Sequence, residues 1–309
     1  MGLLDIILGK KDYSQKFMIN SIEVEIIDTW HDRSLSEIKN WLLIIIKEFL
    51  RDEKKNLHDI KYIKFKFPKT EDLKDPEAMG YYNYKEDCIS FNFEKLRDRE
   101  GQAVGLYRLL KHEMVHFIRD KTAKEHSLLS KLRDISVRKV EAEKNEFKKA
   151  KIMMINYLHD IFVKFLEEGL AVYNAEIDIL DSKKDIYAKA SASASQINII
   201  FKIVLDNIKA KKDEADFNAY TEAYYFYNRA REKRKLHEVG LHMIYTIFKD
   251  SKREIDIREI SKKNVFKIII EYEKIIEQKF NYQKKVISFS SGKGILDYKR
   301  MLNEIKKLE

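Results

Sequence analysis

The sequence predicts an α+β protein, with a small N-terminal β-sheet followed by a mostly helical C-terminal lobe. Two observations carry this. Stretches that alternate apolar and polar residues, the period of a half-exposed strand, fall before residue 100, and beyond it apolar residues recur at helical spacing. Only two prolines and nine glycines interrupt 309 residues, so long helices meet few breaks. The shift divides the chain into an α/β lobe, 1–122, and a helical lobe, 123–309.

Taken in order, residues 22–27 (IEVEII) alternate as a strand. Ser34 or Ser36 can cap a helix running to about Arg51, with Ile38, Leu42, Ile45, Ile46 and Phe49 on its buried side. Residues 62–67 (YIKFKF) alternate again. A polar loop at 69–80 contains Pro76 and Gly80, and 81–93 (YYNYKEDCISFNF) predicts a hairpin turning near Lys85, Glu86 and Asp87. From 101 to 121 the pattern turns helical, with Val104, Tyr107, Leu110, Met114, Phe117 and Ile118 along one stripe. Further helices are expected at 123–150, rich in Lys, Arg and Glu, and at 152–179, strongly apolar. Others follow at 185–210, 213–234, 236–249, 258–279 and 296–308, with one short strand at 286–289.

Composition narrows the function classes. The chain is long enough to bury one large core or two modest ones. Its formal net charge is +9, from 60 basic and 51 acidic residues, but both signs are interleaved, as in 143–151 (EKNEFKKAK). That pattern suits solvated helix surface and speaks against a nucleic-acid partner, which needs the excess gathered in a patch. The single cysteine, Cys88, rules out a disulfide within this chain and a multi-cysteine metal site, and its apolar surroundings predict a buried small hydrophobe. The apolar run near the start is short, without a basic stretch before it, and does not read as a signal peptide. The most apolar window, 41–46 (WLLIII), is flanked by charge, far from the ~18 residues a membrane span needs. A soluble, cytoplasmic protein with no membrane partner is expected.

The chemistry concentrates in 112–116, His-Glu-Met-Val-His. Histidines four apart on a helix lie one turn above each other, so His112 and His116 can bind one metal ion together. Two imidazoles suit tetrahedral zinc with room for a third protein ligand and a water. Glu113, next to the first histidine, is placed to reach that water as a general base rather than the metal. Position 122 is Thr122, so a third histidine six residues beyond His116 is not available.

The segment 165–173 (FLEEGLAVY) offers a carboxylate instead. Burying a glutamate within so apolar a helix is costly unless a charge meets it, which a metal ion would do. Gly169 costs a helix about 1 kcal/mol relative to Ala, so its presence predicts close packing against another element. Glu168 and Glu167 are the carboxylates that this segment offers, and His126 and His159 are further candidates for the third ligand.

HExxH followed by a Glu-Gly-Leu-Ala segment resembles the gluzincins, the zinc peptidases typified by thermolysin and aminopeptidase N. The resemblance implies a zincin-like fold and zinc held by His112, His116 and Glu168, with Glu113 as the base. It also implies an oxyanion donor at His237, since 237–241 (HEVGL) resembles the downstream Tyr-x-x-Gly segment with histidine in place of tyrosine. The hairpin before the metal helix resembles the strand that holds extended substrate by strand addition, implying substrate contacts at Tyr81, Ile89, Phe91 and Asn92. Those branches place the third ligand much nearer the second histidine. Here 51 residues intervene, and the resemblance reads 123–150 as an inserted helix. The segment that binds a substrate's free amine in aminopeptidases is missing, so nothing favours exo- over endopeptidase action.

His242 would face away from His237 and is expected to be a core or surface histidine. Trp30, Trp41 and the aromatic cluster Tyr220, Tyr224, Tyr225, Phe226 and Tyr227 are expected to pack, and 191–195 (SASAS) to allow close helix contact. The expectation is therefore a zinc-dependent peptidase acting on peptide or protein substrates. The competing class is a latent or non-catalytic metal-containing helical binding protein with a basic surface. Oligomeric state is not readable from the chain.

Overall fold

A computed structural model describes residues 13–29, 36–73, 78–92, 95–96, 103–122, 144, 146–176, 183–209, 225, 228–229, 234–248, 256–262, 267–269, 271–272 and 274–275. The chain divides into two compact units, Met1–Thr122 and Ala123–Glu309.

The first unit holds a five-stranded mixed sheet in the order β1-β2-β3-β5-β4. Its strands are β1 (Tyr13–Ile19), β2 (Ile22–Asp28), β3 (Tyr62–Phe67), β4 (Gly80–Asn83) and β5 (Cys88–Phe91). β1 was not among the expected strands. It pairs antiparallel with β2 through a two-residue turn in which Asn20 and Ser21 both take positive φ, 50° and 67°. That turn matches the right-handed twist of paired strands, and an Asn-led dipeptide between two strand-like runs is its sequence mark. β2–β3 and β3–β5 are parallel, whereas β4 returns antiparallel to β5 and forms an edge.

Alternation explains which face is buried. Val24 and Ile26 pair with Ile63 and Phe65 on one face, and Glu23 and Glu25 with Tyr62 and Lys64 on the other. The apolar face continues into Ile89 and Phe91, with Phe91 ringed by Phe65 and Phe67 at centroid distances of 6.0 and 5.7 Å. Among the described residues, two long helices pack in this unit. α1 (Ser36–Asp52) buries Leu42, Ile46 and Phe49, and α2 (Ala103–Thr122) buries Leu110, Met114, Phe117 and Ile118. Phe49 meets Tyr107 edge-on at 5.4 Å, and the Tyr107 hydroxyl donates to Asp52, which ties the two helices together. Trp41 is half-buried on α1, and Cys88 is fully buried as expected. Burial pushes the Cys88 thiol pKa up, which keeps the thiol neutral and unreactive.

The second unit is helical where described: α3 (Glu146–Glu176), α4 (Lys183–Lys209), α5 (Lys235–Phe248) and the short α6 (Ile257–Ser261). α3 buries Ile161, Phe162, Phe165 and Leu170, α5 buries Leu236, Val239, Met243 and Ile244, and α4 adds Ile186, Ala190, Ala194 and Ile197. The small residues of 191–195 do allow close contact: Ser193 is buried and hydrogen-bonded to Glu238 on α5. His242 is a buried core histidine, its Nδ1 3.2 Å from the Tyr272 hydroxyl. Tyr225 is exposed. Expectations for 123–143, for most of 213–234, for 286–289 and 296–308, and for Trp30, His126 and the other aromatics of the 220–227 cluster fall outside the described residues. Among the described residues no helix is long and apolar enough to cross a membrane.

Candidate metal site

α2 carries His112, Glu113 and His116 because its apolar stripe turns Met114, Phe117 and Ile118 into the core and leaves these three on its flank. The imidazoles lie one turn apart, their ring centroids 5.2 Å from each other. His112 is half-buried, whereas Glu113 and His116 are each only 6% exposed. A charged side chain so enclosed needs a donor, and Glu113 has one on β4: the Tyr82 backbone N–H donates to its Oε2 at 2.8 Å. Since β4 pairs with β5 on its other side, that N–H points off the outer edge of the sheet.

Tyr82 also ties the hairpin to α2 through its side chain. Its hydroxyl lies 2.8 Å from Oδ1 of Asp87 and 2.8 Å from Oδ2 of Asp120, and it has one proton to give to the two carboxylates. Burial first, then these two acceptors, push the phenol well above its ordinary pKa. Lys121 pairs with Asp87. Burial works to raise the Asp87 carboxyl, but the hydrogen bonds from Lys121 and Tyr82 and the Lys121 charge outweigh it and hold it below the usual range. Sequence reasoning missed this clamp. Asp120 and Glu113, seven residues apart on one helix face, were its only local trace.

Of the residues expected to meet substrate, Tyr81 lies on the edge strand and is half-buried. Ile89 and Phe91 are placed differently. β5 is an interior strand between β3 and β4, and both side chains are fully buried in the core, so they belong to packing and not to a binding surface. Asn92 is buried too; its side-chain Oδ1 accepts from the Lys95 N–H and its own N–H donates to the Met79 carbonyl, which makes it a turn residue.

On α3, Glu168 is 9% exposed and Glu167 3% exposed. Lys164, one turn earlier, reaches both, with Nζ 3.3 Å from Oε2 of Glu167 and 3.3 Å from Oε1 of Glu168. Burial works to lower the Lys164 pKa, but the two carboxylates outweigh it and hold the ammonium charged. The other oxygen of Glu168, Oε2, lies 2.9 Å from Nε2 of His237 on α5. The predicted close packing at Gly169 is real, and its partner is Gly240. A Cβ on Gly169 would come within 2.4 Å of the Gly240 carbonyl oxygen, so the two helices touch backbone to backbone. This contact brings His237, one turn before Gly240, to Glu168, the residue before Gly169.

One ligand atom each from His112, His116 and Glu168 lie within 4.8 Å of one another, a His-His-Glu set that could hold a metal ion. Glu168, and not its neighbour Glu167, belongs to that set. His159 lies on α3, with its side chain outside the described residues. Compared with known proteins, the chain matches no family model, no curated protein and no solved structure.

Proposed function

We propose that this chain is a zinc-dependent peptidase with a gluzincin-like site on a zincin-like fold. The observation that carries the reading is the convergence of one ligand atom each from His112, His116 and Glu168 within 4.8 Å. Two imidazoles and one carboxylate are borderline donors that suit zinc better than magnesium or calcium, which favour all-oxygen sets, and three protein ligands are the number of a catalytic site with an open position. The buried Glu113 beside them is what separates this set from a merely structural one.

Zinc, when bound, would supply Lewis acidity toward water and the scissile carbonyl. The remaining work falls to the chain. Glu113, oriented by the Tyr82 N–H on its Oε2, would take a proton from the attacking water and pass it to the leaving amine. β4, the last strand in the sheet order, suits an extended peptide added as a further strand, with Tyr81 beside it. The resemblance gives the oxyanion to His237, but its Nε2 is engaged with Glu168, and a different role follows from that contact.

The test combines metal analysis with cleavage of an unbiased peptide library by wild type and Glu113→Gln. One zinc per chain is expected in both, with turnover falling by ~10²-fold or more only in the variant. No bound metal, or full turnover in Glu113→Gln, overturns the reading. Stoichiometric zinc with no cleavage by wild type points to a metal-containing binding protein instead.

A further inference from the structure

We infer that His237 is a positioning residue that orients the carboxylate of Glu168, and that the donor expected for the oxyanion is spent on this contact. The inference rests on the reading of Glu168 as a metal ligand.

A carboxylate only accepts hydrogen bonds, so the 2.9 Å contact requires the proton to sit on Nε2 of His237. That is one N–H with one strong acceptor in front of it. A developing oxyanion would have to compete with a full carboxylate charge for the same proton, whereas an oxyanion donor works by standing preorganised and unspent. The histidine is not there by accident of a flexible side chain. α3 and α5 meet through Gly169 and Gly240, a contact that no side chain can enter, and it fixes His237 and Glu168 against each other within one helical turn of the crossing.

Lys164 completes the support. Its ammonium holds Oε1 while His237 holds Oε2, so the carboxylate is gripped by both oxygens. The cation is not set against a metal without compensation, because the buried Glu167 shares it. Glu167, an alternative ligand on sequence grounds, thus acquires a separate role, balancing Lys164 and leaving the charge of Glu168 for the metal. Hydrogen-bonded supports of this kind set the orientation and affinity of metal ligands.

The experiment measures zinc affinity by chelator competition, and turnover at saturating zinc, in wild type, His237→Leu, His237→Asn and His237→Gln. The Gln amide reaches about as far as Nε2 and can still donate to Glu168, whereas Asn is too short and Leu cannot donate. His237→Leu and His237→Asn are expected to bind zinc ~10–100-fold more weakly, with His237→Gln restoring most of the loss. Turnover of all three should recover once zinc is saturating. Asn is polar and small, so it serves where Leu fails to fold. Unchanged zinc affinity with turnover down ~10²–10³-fold at saturating zinc would overturn the inference and make His237 the oxyanion donor. A wild type that holds no zinc overturns the metal reading itself, and this inference with it.

Discussion

Gly169 and Gly240 are in backbone contact: a Cβ on Gly169 would lie 2.3 Å from the carbonyl carbon of Gly240, and one on Gly240 would lie 2.2 Å from the carbonyl oxygen of Phe165. Both obstacles are main chain, which can yield only by moving a helix. Gly240→Ala gains helix propensity, worth about 1 kcal/mol, but the overlap is the larger effect. Chemical denaturation should show a net loss of about 2 kcal/mol or more. A variant as stable as wild type would mean that the helices do not cross here.

The phenol of Tyr82 is the second fixed point, joining the β4–β5 turn to α2. Tyr82→Phe keeps the ring against Phe117 and removes only the hydroxyl. Losing a hydrogen bond to a charged acceptor costs about 2 kcal/mol. Because one proton serves two carboxylates, Tyr82→Phe and Asp87→Asn should be non-additive in a double-mutant cycle. Strict additivity would separate the two groups.

The Asp87 carboxyl is held below its ordinary range, so its contribution to stability is present above the unfolded value of about 3.9 and disappears as the pH falls through the lower folded value. The pair with Lys121 is more than a third exposed, and screening limits it to about 1 kcal/mol or less. Denaturation of wild type and Asp87→Asn should therefore differ at pH 7 and converge once the pH lies below the lowered folded value. A gap that widens on acidification would contradict the sign.

Zinc that binds only the folded chain must stabilise it, by about 2.7 kcal/mol when free metal stands 100-fold above the dissociation constant. The melting temperature should rise with zinc concentration and fall on chelation. His116→Ala should be insensitive to both. An equal response in that variant would place the metal elsewhere.

Much of the His-Glu-His face of α2 was legible because its geometry is local. A four-residue spacing on a helix juxtaposes His112 and His116 whatever surrounds them, and the apolar stripe of α2 says which flank they occupy. Gly169 was legible for a similar reason: a glycine amid good helix formers signals a close neighbour, though not which one. Its partner, Gly240, lies too far along the chain for any periodicity to connect them. Sheet order was hidden in the same way. The hairpin 81–93 could be seen, but which of its strands faces outward depends on the parallel pairing of β3 with β5, and this is why Ile89 and Phe91 looked like binding residues and are core. β1 escaped notice because its exposed Met18 breaks the alternation that Phe17 and Ile19 would otherwise follow.

The single hydrogen bond from the Tyr82 N–H to Glu113 makes two events mutually exclusive at one atom. Any extended chain that pairs with β4 at Tyr82 competes with Glu113 for that proton. Docking there would take this donor from Glu113, and an edge without such a chain would leave the donor with it, so strand pairing at Tyr82 and the Tyr82–Glu113 hydrogen bond would replace each other.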